Sequence, residues 1–185
     1  MWPILPKLHV MKIGHRPERD KRIDMHCVLV SRAFGAAGIT FDFKDTELET
    51  RAESVTKHFG GRFLIGTGVN WKSYLKSWKE EGGEIIHLTM YGLPIQDLIG
   101  EIKLSPKDKL IVVGGQKVPR LIYELADYNI SITQQPHSEV AALCIFLDRY
   151  FEGAEFNKKF DDAELRIIPQ RMGKLVVRES GLERT

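Results

Sequence analysis

Cysteine is scarce: Cys27 and Cys144 are the only two in 185 residues, too few to make a zinc site by themselves. Two buried, reduced thiols are the ordinary state of such a pair in a reducing compartment, and the disulfide-bearing intracellular proteins of hyperthermophiles leave a bridge open. No apolar run approaches the roughly 20 residues that cross a bilayer. The opening residues 1–6 have neither the length nor the cleavage chemistry of a signal peptide. A cytoplasmic protein with no membrane partner is expected. The glycines fit neither the GxGxxG dinucleotide spacing nor a Walker A loop, which counts against nucleotide-phosphate binding. Internal repeats and low-complexity tracts are also missing.

What is present fits one globular domain with a small appendage: 43% of the residues are apolar and 28% charged. A formal charge of +2 does not announce a nucleic-acid partner. Its distribution is more informative. Up to Arg32 there are seven Lys/Arg against three acids, and Leu165 to Arg178 holds four Lys/Arg against none. Both ends of the chain are candidate RNA surfaces.

Hydrophobic periodicity alternates between strand and helix. Strands are expected at 7–13, 38–43, 62–65, 84–88, 109–113 and 129–132, and helices at 17–35, 46–59, 71–81, 94–102, 119–126 and 138–150. Such alternation argues an α/β fold with a mostly parallel sheet covered on both faces, whose ligands sit beyond the carboxyl ends of the strands. Residues 1–152 form this domain. Residues 153–185 read as a linker and a β-hairpin arm, with strands at 164–168 and 174–178, too small to fold without a docking surface.

Four stretches carry chemistry. Pro17 suits the first position of a helix. On that helix Ile23, Cys27, Val30 and Phe34 share an apolar stripe edged by Arg19, Arg22 and His26. With His15 and Arg16 these make a basic cluster. Paired acids would reduce it to a solvated edge, whereas a guanidinium fork that keeps its charge suits a phosphate. His87-Leu88-Thr89-Met90-Tyr91-Gly92 ends a strand at the rim where an α/β ligand sits, although taken alone an ordinary strand-to-helix turn explains it better. Gly114-Gly115-Gln116-Lys117-Val118-Pro119-Arg120 follows a buried strand, and its paired glycines let a ligand approach the main chain; a branched side chain at either glycine is expected to fill that space. Ile132-Thr133-Gln134-Gln135-Pro136-His137-Ser138-Glu139 concentrates amides, an imidazole and a hydroxyl in one connection, where Ser138 also serves as a helix cap. The next helix is apolar nearly all round and needs burial on more than one face.

These four motifs, with Gly14-His15-Arg16-Pro17 opening the first and Ala126-Asp127-Tyr128-Asn129 preceding the last, resemble in order the archaeal tRNA cytidine(56) 2'-O-methyltransferases of the SPOUT superfamily. The resemblance implies a deep trefoil knot in the carboxyl-terminal part of the sheet domain, which general topology disfavours. It also implies a homodimer, a tRNA substrate and S-adenosylmethionine as cofactor. Cofactor contacts are implied at Leu88, Thr89 and Gly92, at Gly114, Gly115, Gln116, Lys117 and Val118, and at Ile132, Thr133, Gln134, Gln135, Pro136, His137, Ser138 and Glu139.

Two departures qualify the match. Gly115-Gln116 stands where the family has Ala-Glu, which removes a carboxylate. The wider superfamily's catalytic arginine lies inside the first helix after an asparagine; here that stretch reads Val28-Leu29-Val30-Ser31, so the catalytic arginine comes from Arg16, Arg19 or Arg22. No metal is expected, because methyl transfer needs none and the histidines lack ligand spacing. Two rival readings remain: a related methyltransferase acting on a base or on ribosomal RNA, and a flavodoxin-like nucleotide-binding module without catalysis.

Overall fold

A computed structural model describes residues 6–115 and 117–178, without the side chains of Pro17, Glu18, Arg19 and Lys21. The sheet domain runs β1 (Leu8–Ile13), α1 (Pro17–Ala33), β2 (Gly38–Phe41), α2 (Thr46–Phe59), β3 (Leu64–Gly66), α3 (Trp71–Glu80), β4 (Glu84–Pro94), α4 (Ile95–Leu104), β5 (Lys109–Gly114), α5 (Arg120–Leu125), β6 (Tyr128–Ser131) and α6 (Glu139–Phe151). A 3₁₀ turn at Ala154–Asn157 leads to a separate antiparallel pair, β7 (Leu165–Ile168) and β8 (Leu175–Arg178).

The six strands pair in the order β3-β2-β1-β5-β4-β6, and all five pairings are parallel. Side chains alternate across the pleat, so the central strands β1, β4 and β5 feed two cores. Leu8, Val10, Ile86, Leu88, Ile111 and Val113 meet residues of α1, α2, α4 and α6. Met11, Ile13, Ile85, Leu110 and Val112 meet α3 and α5 through Leu75 and Ile122. The chain leaves β1 toward β2 and leaves β5 toward β6, in opposite directions along the sheet. A crevice opens where two neighbouring strands diverge in this way.

β4 is longer than its expected 84–88. Its ladder with β6 jumps: Leu88 and Leu93 both face Ile130, so residues 89–92 bulge out of register. A Cβ on Gly92 would lie 2.4 Å from the main chain of Asn129, which only glycine avoids.

Two of the cations counted toward a basic amino-terminal surface are internal. Lys12 is 0% exposed and pairs with Asp24. Arg32 is 7% exposed and donates to the Gly60 carbonyl. The arm docks on α2, where Lys57 approaches Glu164 at 3.5 Å. On α6, Ala142, Leu143, Phe146, Leu147 and Tyr150 are buried, yet Ile145 stays 41% exposed, so the helix is covered on one side only. Cys27 and Cys144 are both free thiols, and burial pushes the Cys27 thiol up to about 12.

Candidate cofactor cavity and arginine rim

The register places Ile13 opposite Gly114, so the chain beyond β1 and the chain beyond β5 emerge side by side at the carboxyl edge of the sheet. Arg16 follows one and Gly115 the other. The position of a Cβ on Gly115 lies 3.8 Å from Arg16 Nη2 and 3.9 Å from Glu139 Oε1. Between these segments and β4 lies a cavity of about 460 Å³.

Ten of the expected site residues line it: Arg16, Leu88, Thr89, Gly114, Gly115, Val118, Pro136, His137, Ser138 and Glu139. Arg22, Gly92, Lys117, Ile132, Thr133, Gln134 and Gln135 do not. Gln116 and the side chain of Arg19 lie outside the described residues. Sequence reasoning passed over Tyr123, Ile23 and Ala142, which come from helix faces, together with His87, Met90, Tyr91 and Val113. Only His87 to Tyr91 had a signal, since they share a motif with Leu88 and Thr89.

Arg16 is pinned by a residue one helical turn away. Its backbone N–H and Nε both donate to Asp20 Oδ2, at 3.0 and 3.1 Å, and its Nη2 donates to Oδ1 at 3.1 Å. The hydrogen bonds to Asp20 hold the guanidinium above its ordinary range and, in return, hold the buried Asp20 carboxyl below its own. The preceding residue is fixed as well: His15 Nδ1 meets Asp24 at 2.7 Å, and its ring stacks on Phe43 at 3.8 Å. Asp20 and Asp24 therefore anchor this loop from inside α1 instead of decorating the helix start. Arg22 is exposed on the same helix.

On the opposite wall, Asn129 Nδ2 donates to the Tyr123 carbonyl at 2.9 Å, which turns its Oδ1 toward His87 Nδ1 at 2.9 Å. His87 Nδ1 therefore carries the proton and Nε2 is left as an acceptor. Burial holds this imidazole below its ordinary range, opposed by the Asn129 hydrogen bond. His87 Nε2 and Glu139 Oε1 are buried without a hydrogen-bond partner among the described residues. Unpaired acceptors of this kind cost free energy unless a ligand's donors reach them. Ser138 caps α6 through Ala141 N at 3.2 Å and lines the cavity as well.

The two glycines differ. A Cβ on Gly114 would meet Val118 Cγ2 at 2.7 Å and Ile13 Cγ1 at 3.0 Å, whereas one on Gly115 meets nothing closer than 3.7 Å. Gly115 keeps ligand space open. Gly114 is required first by the protein's own packing, so the expectation of a purely ligand-clearing role is corrected there.

The donor set suits a cationic, hydrogen-bond-rich ligand such as S-adenosylmethionine. Glu139 offers a carboxylate, His87 Nε2 an acceptor, and the glycine turn a bare main chain.

A family model described as tRNA ribose 2'-O-methyltransferase, aTrm56, matches residues 59–177. A protein of Hyperthermus butylicus called tRNA (cytidine(56)-2'-O)-methyltransferase is 53% identical over 172 residues, 92% of each chain. One of the same name from Methanothermobacter thermautotrophicus is 48% identical over 168 residues, 90% of this chain and 94% of that one. Among solved structures, the A. aeolicus TrmH/SpoU tRNA modifying enzyme superposes with a TM-score of 0.61 at 17% identity, covering 84% of this chain and 79% of that one. The SpoU methyltransferase AviRb from Streptomyces viridochromogenes, solved with AdoMet, gives 0.54 at 12% identity over 81% and 58%.

Proposed function

Because the chain belongs to the tRNA ribose 2'-O-methyltransferase family, we infer that it transfers a methyl group from S-adenosylmethionine to the 2'-hydroxyl of cytidine 56 in tRNA. The observation that carries this reading beyond the family is the convergence of Arg16, Gly115, Glu139 and His87 on one cavity at the carboxyl edge. The cofactor, when bound, supplies an already activated methyl on a sulfonium. The protein has to hold it, align the ribose and ease the loss of one proton.

His87, Leu88, Gly114, Gly115 and Glu139 hold the cofactor. Arg16, with Arg19 and Arg22 on the same loop and first helical turns, grips the phosphate beside the target ribose and stabilises negative charge developing on the 2'-oxygen. Two acceptors compete for the proton. One is that phosphate. The other is His137, whose ring Nδ1 lies 3.2 Å from the Ser138 carbonyl and donates to it, leaving Nε2 free. A His137→Ala enzyme with undiminished saturated turnover assigns the proton to the phosphate.

A deep trefoil knot is proposed for the carboxyl-terminal part of the sheet domain, supported by its likeness in fold to the TrmH/SpoU enzyme. A homodimer is proposed through α1 and α6, which lie side by side and leave Leu29 39% and Ile145 41% exposed. Sedimentation at micromolar concentration decides it: a dimer is expected, and a monomer rejects the interface. Among the described residues no helix is long and apolar enough to cross a membrane.

Mass spectrometry of nucleosides from transcript tRNA incubated with protein and S-adenosylmethionine tests the activity. Methylated ribose at cytidine 56 is expected. Methylation of a base, or of ribosomal RNA only, would replace this reading with the related one, and absence of cofactor binding would remove both.

A further inference from the structure

A second cleft, of about 330 Å³, lies at the opposite end of the sheet. Its wall includes Ala36 and Phe63, which precede β2 and β3, so it sits at the amino-terminal edge of the strands. It is built where the carboxyl ends of α1 and α2 meet the segment 158–162. Gly60 and Gly61, both at positive φ, let that segment close in: Gly61 N donates to the Asp161 carbonyl at 2.6 Å, and a Cβ on Gly61 would lie 2.6 Å from the Phe160 ring.

Four cations line this cleft against two carboxylates: Arg32, Arg62, Lys158 and Lys159, with Asp161 and Asp162. Among the described residues none of the four is in an ion pair. Arg32 and Lys158 approach the same Phe160 ring at 4.7 and 5.5 Å. Burial, and then the charge of Arg32, hold Lys158 below its ordinary range.

Capping of helix ends explains part of this. Arg32 donates to the Gly60 carbonyl, and Lys158 to that of Gly35. It does not explain Arg32 Nε, which is buried without a partner, nor Arg62 and Lys159, which are exposed. Four cations against two carboxylates leave the cleft an excess of positive charge, which favours an anion. Residues 158–162 also run directly into the arm, whose stretch 165–178 carries four Lys/Arg and no acid.

We propose that this cleft is a second anchoring point for the substrate RNA, where Arg32, Arg62, Lys158 and Lys159 take neighbouring backbone phosphates remote from the methylated ribose. The inference rests on the reading of tRNA as substrate. α1 sets the distance: from Arg16 to Arg32 its rise is about 24 Å. An RNA held at Arg16 reaches the cleft only if it extends that far.

The test uses Arg62 and Lys159, whose exposure leaves the fold out of the result. For Arg62→Ala/Lys159→Ala, the log–log salt dependence of binding to full-length tRNA should flatten by about 1.4–1.8, the effect of leaving two phosphates without a protein cation. S-adenosylmethionine binding and turnover at saturating tRNA should stay at the wild-type level, and Arg62→Lys/Lys159→Arg should keep the wild-type slope. A stem-loop too short to span about 24 Å should bind wild type and variant alike. An unchanged slope with full-length tRNA overturns the proposal, as does an equal loss on the short stem-loop. Failure of the wild type to methylate tRNA would strike the underlying reading instead.

Discussion

The carboxylate of Asp24 receives the fully buried ammonium of Lys12 at 2.7 Å. The other Asp24 oxygen serves His15. A pair buried to this depth returns little net stability when intact, but breaking it strands a charge. Asp24→Ala should therefore cost about 3–5 kcal/mol, read from denaturant unfolding. Lys12→Met/Asp24→Leu should recover most of that loss. A single variant as stable as wild type would show that Lys12 finds water.

The glycines separate packing from ligand space. Gly92→Ala drives a Cβ into the main chain of β6, 2.4 Å from Asn129, and overpacking of that kind costs about 1–3 kcal/mol. Gly115→Ala should leave melting unchanged, since its Cβ meets nothing within 3.7 Å. Gly115→Val should weaken S-adenosylmethionine binding in a folded protein. Thermal melts with and without cofactor check all three, and normal affinity in Gly115→Val would take that glycine out of the site.

Arg16 has a structural duty beside the catalytic one proposed for it, and one variant cannot separate them, because Arg16→Ala takes two of three hydrogen bonds from the buried Asp20 and leaves only that of the backbone N–H. Two readouts are needed. Saturated turnover should fall by about 10²–10³-fold, the usual effect of losing a donor aimed at developing charge, while cofactor titration stays near normal. Arg16→Lys keeps the charge and loses the fork, and should recover stability more than turnover. Arg16→Ala/Arg19→Ala/Arg22→Ala with unchanged turnover would remove all three from catalysis.

His9 gives stability a pH dependence. Burial lowers its pKa from 6.5 to about 4, and its Nε2 lies 2.8 Å from Thr40 Oγ1. The unfolded chain takes up this proton first as pH falls, so the contribution is complete above pH 6.5 and is lost on the way down to about 4. The lowered His87 acts in the same direction below its ordinary range. Asp20, also lowered, stabilises above its ordinary carboxylate range and loses that effect only at more acid pH. Unfolding free energies measured at pH 7.5 and 4.5 should differ in wild type and differ less in His9→Gln; equal differences would show that His9 is not responsible.

The spans of the strands and helices were legible because they rest on side-chain periodicity, and periodicity is local. So were the turn residues of the site: Gly114-Gly115 and Pro136 to Glu139 interrupt the pattern where strands end, and a parallel sheet gathers those ends at one edge. Tertiary structure decided the rest. Tyr123, Ile23 and Ala142 reach the cavity from helix faces that only the packing turns toward it. β4 resumes its ladder after residue 92 because β6, 42 residues on from His87, lies there to pair with it. Lys12, one of the charges that made the amino-terminal segment look like an RNA surface, is withdrawn inside by its partner Asp24. Charge is written in the sequence, but whether a charge meets phosphate or protein depends on which distant group the fold brings within about 3 Å of it.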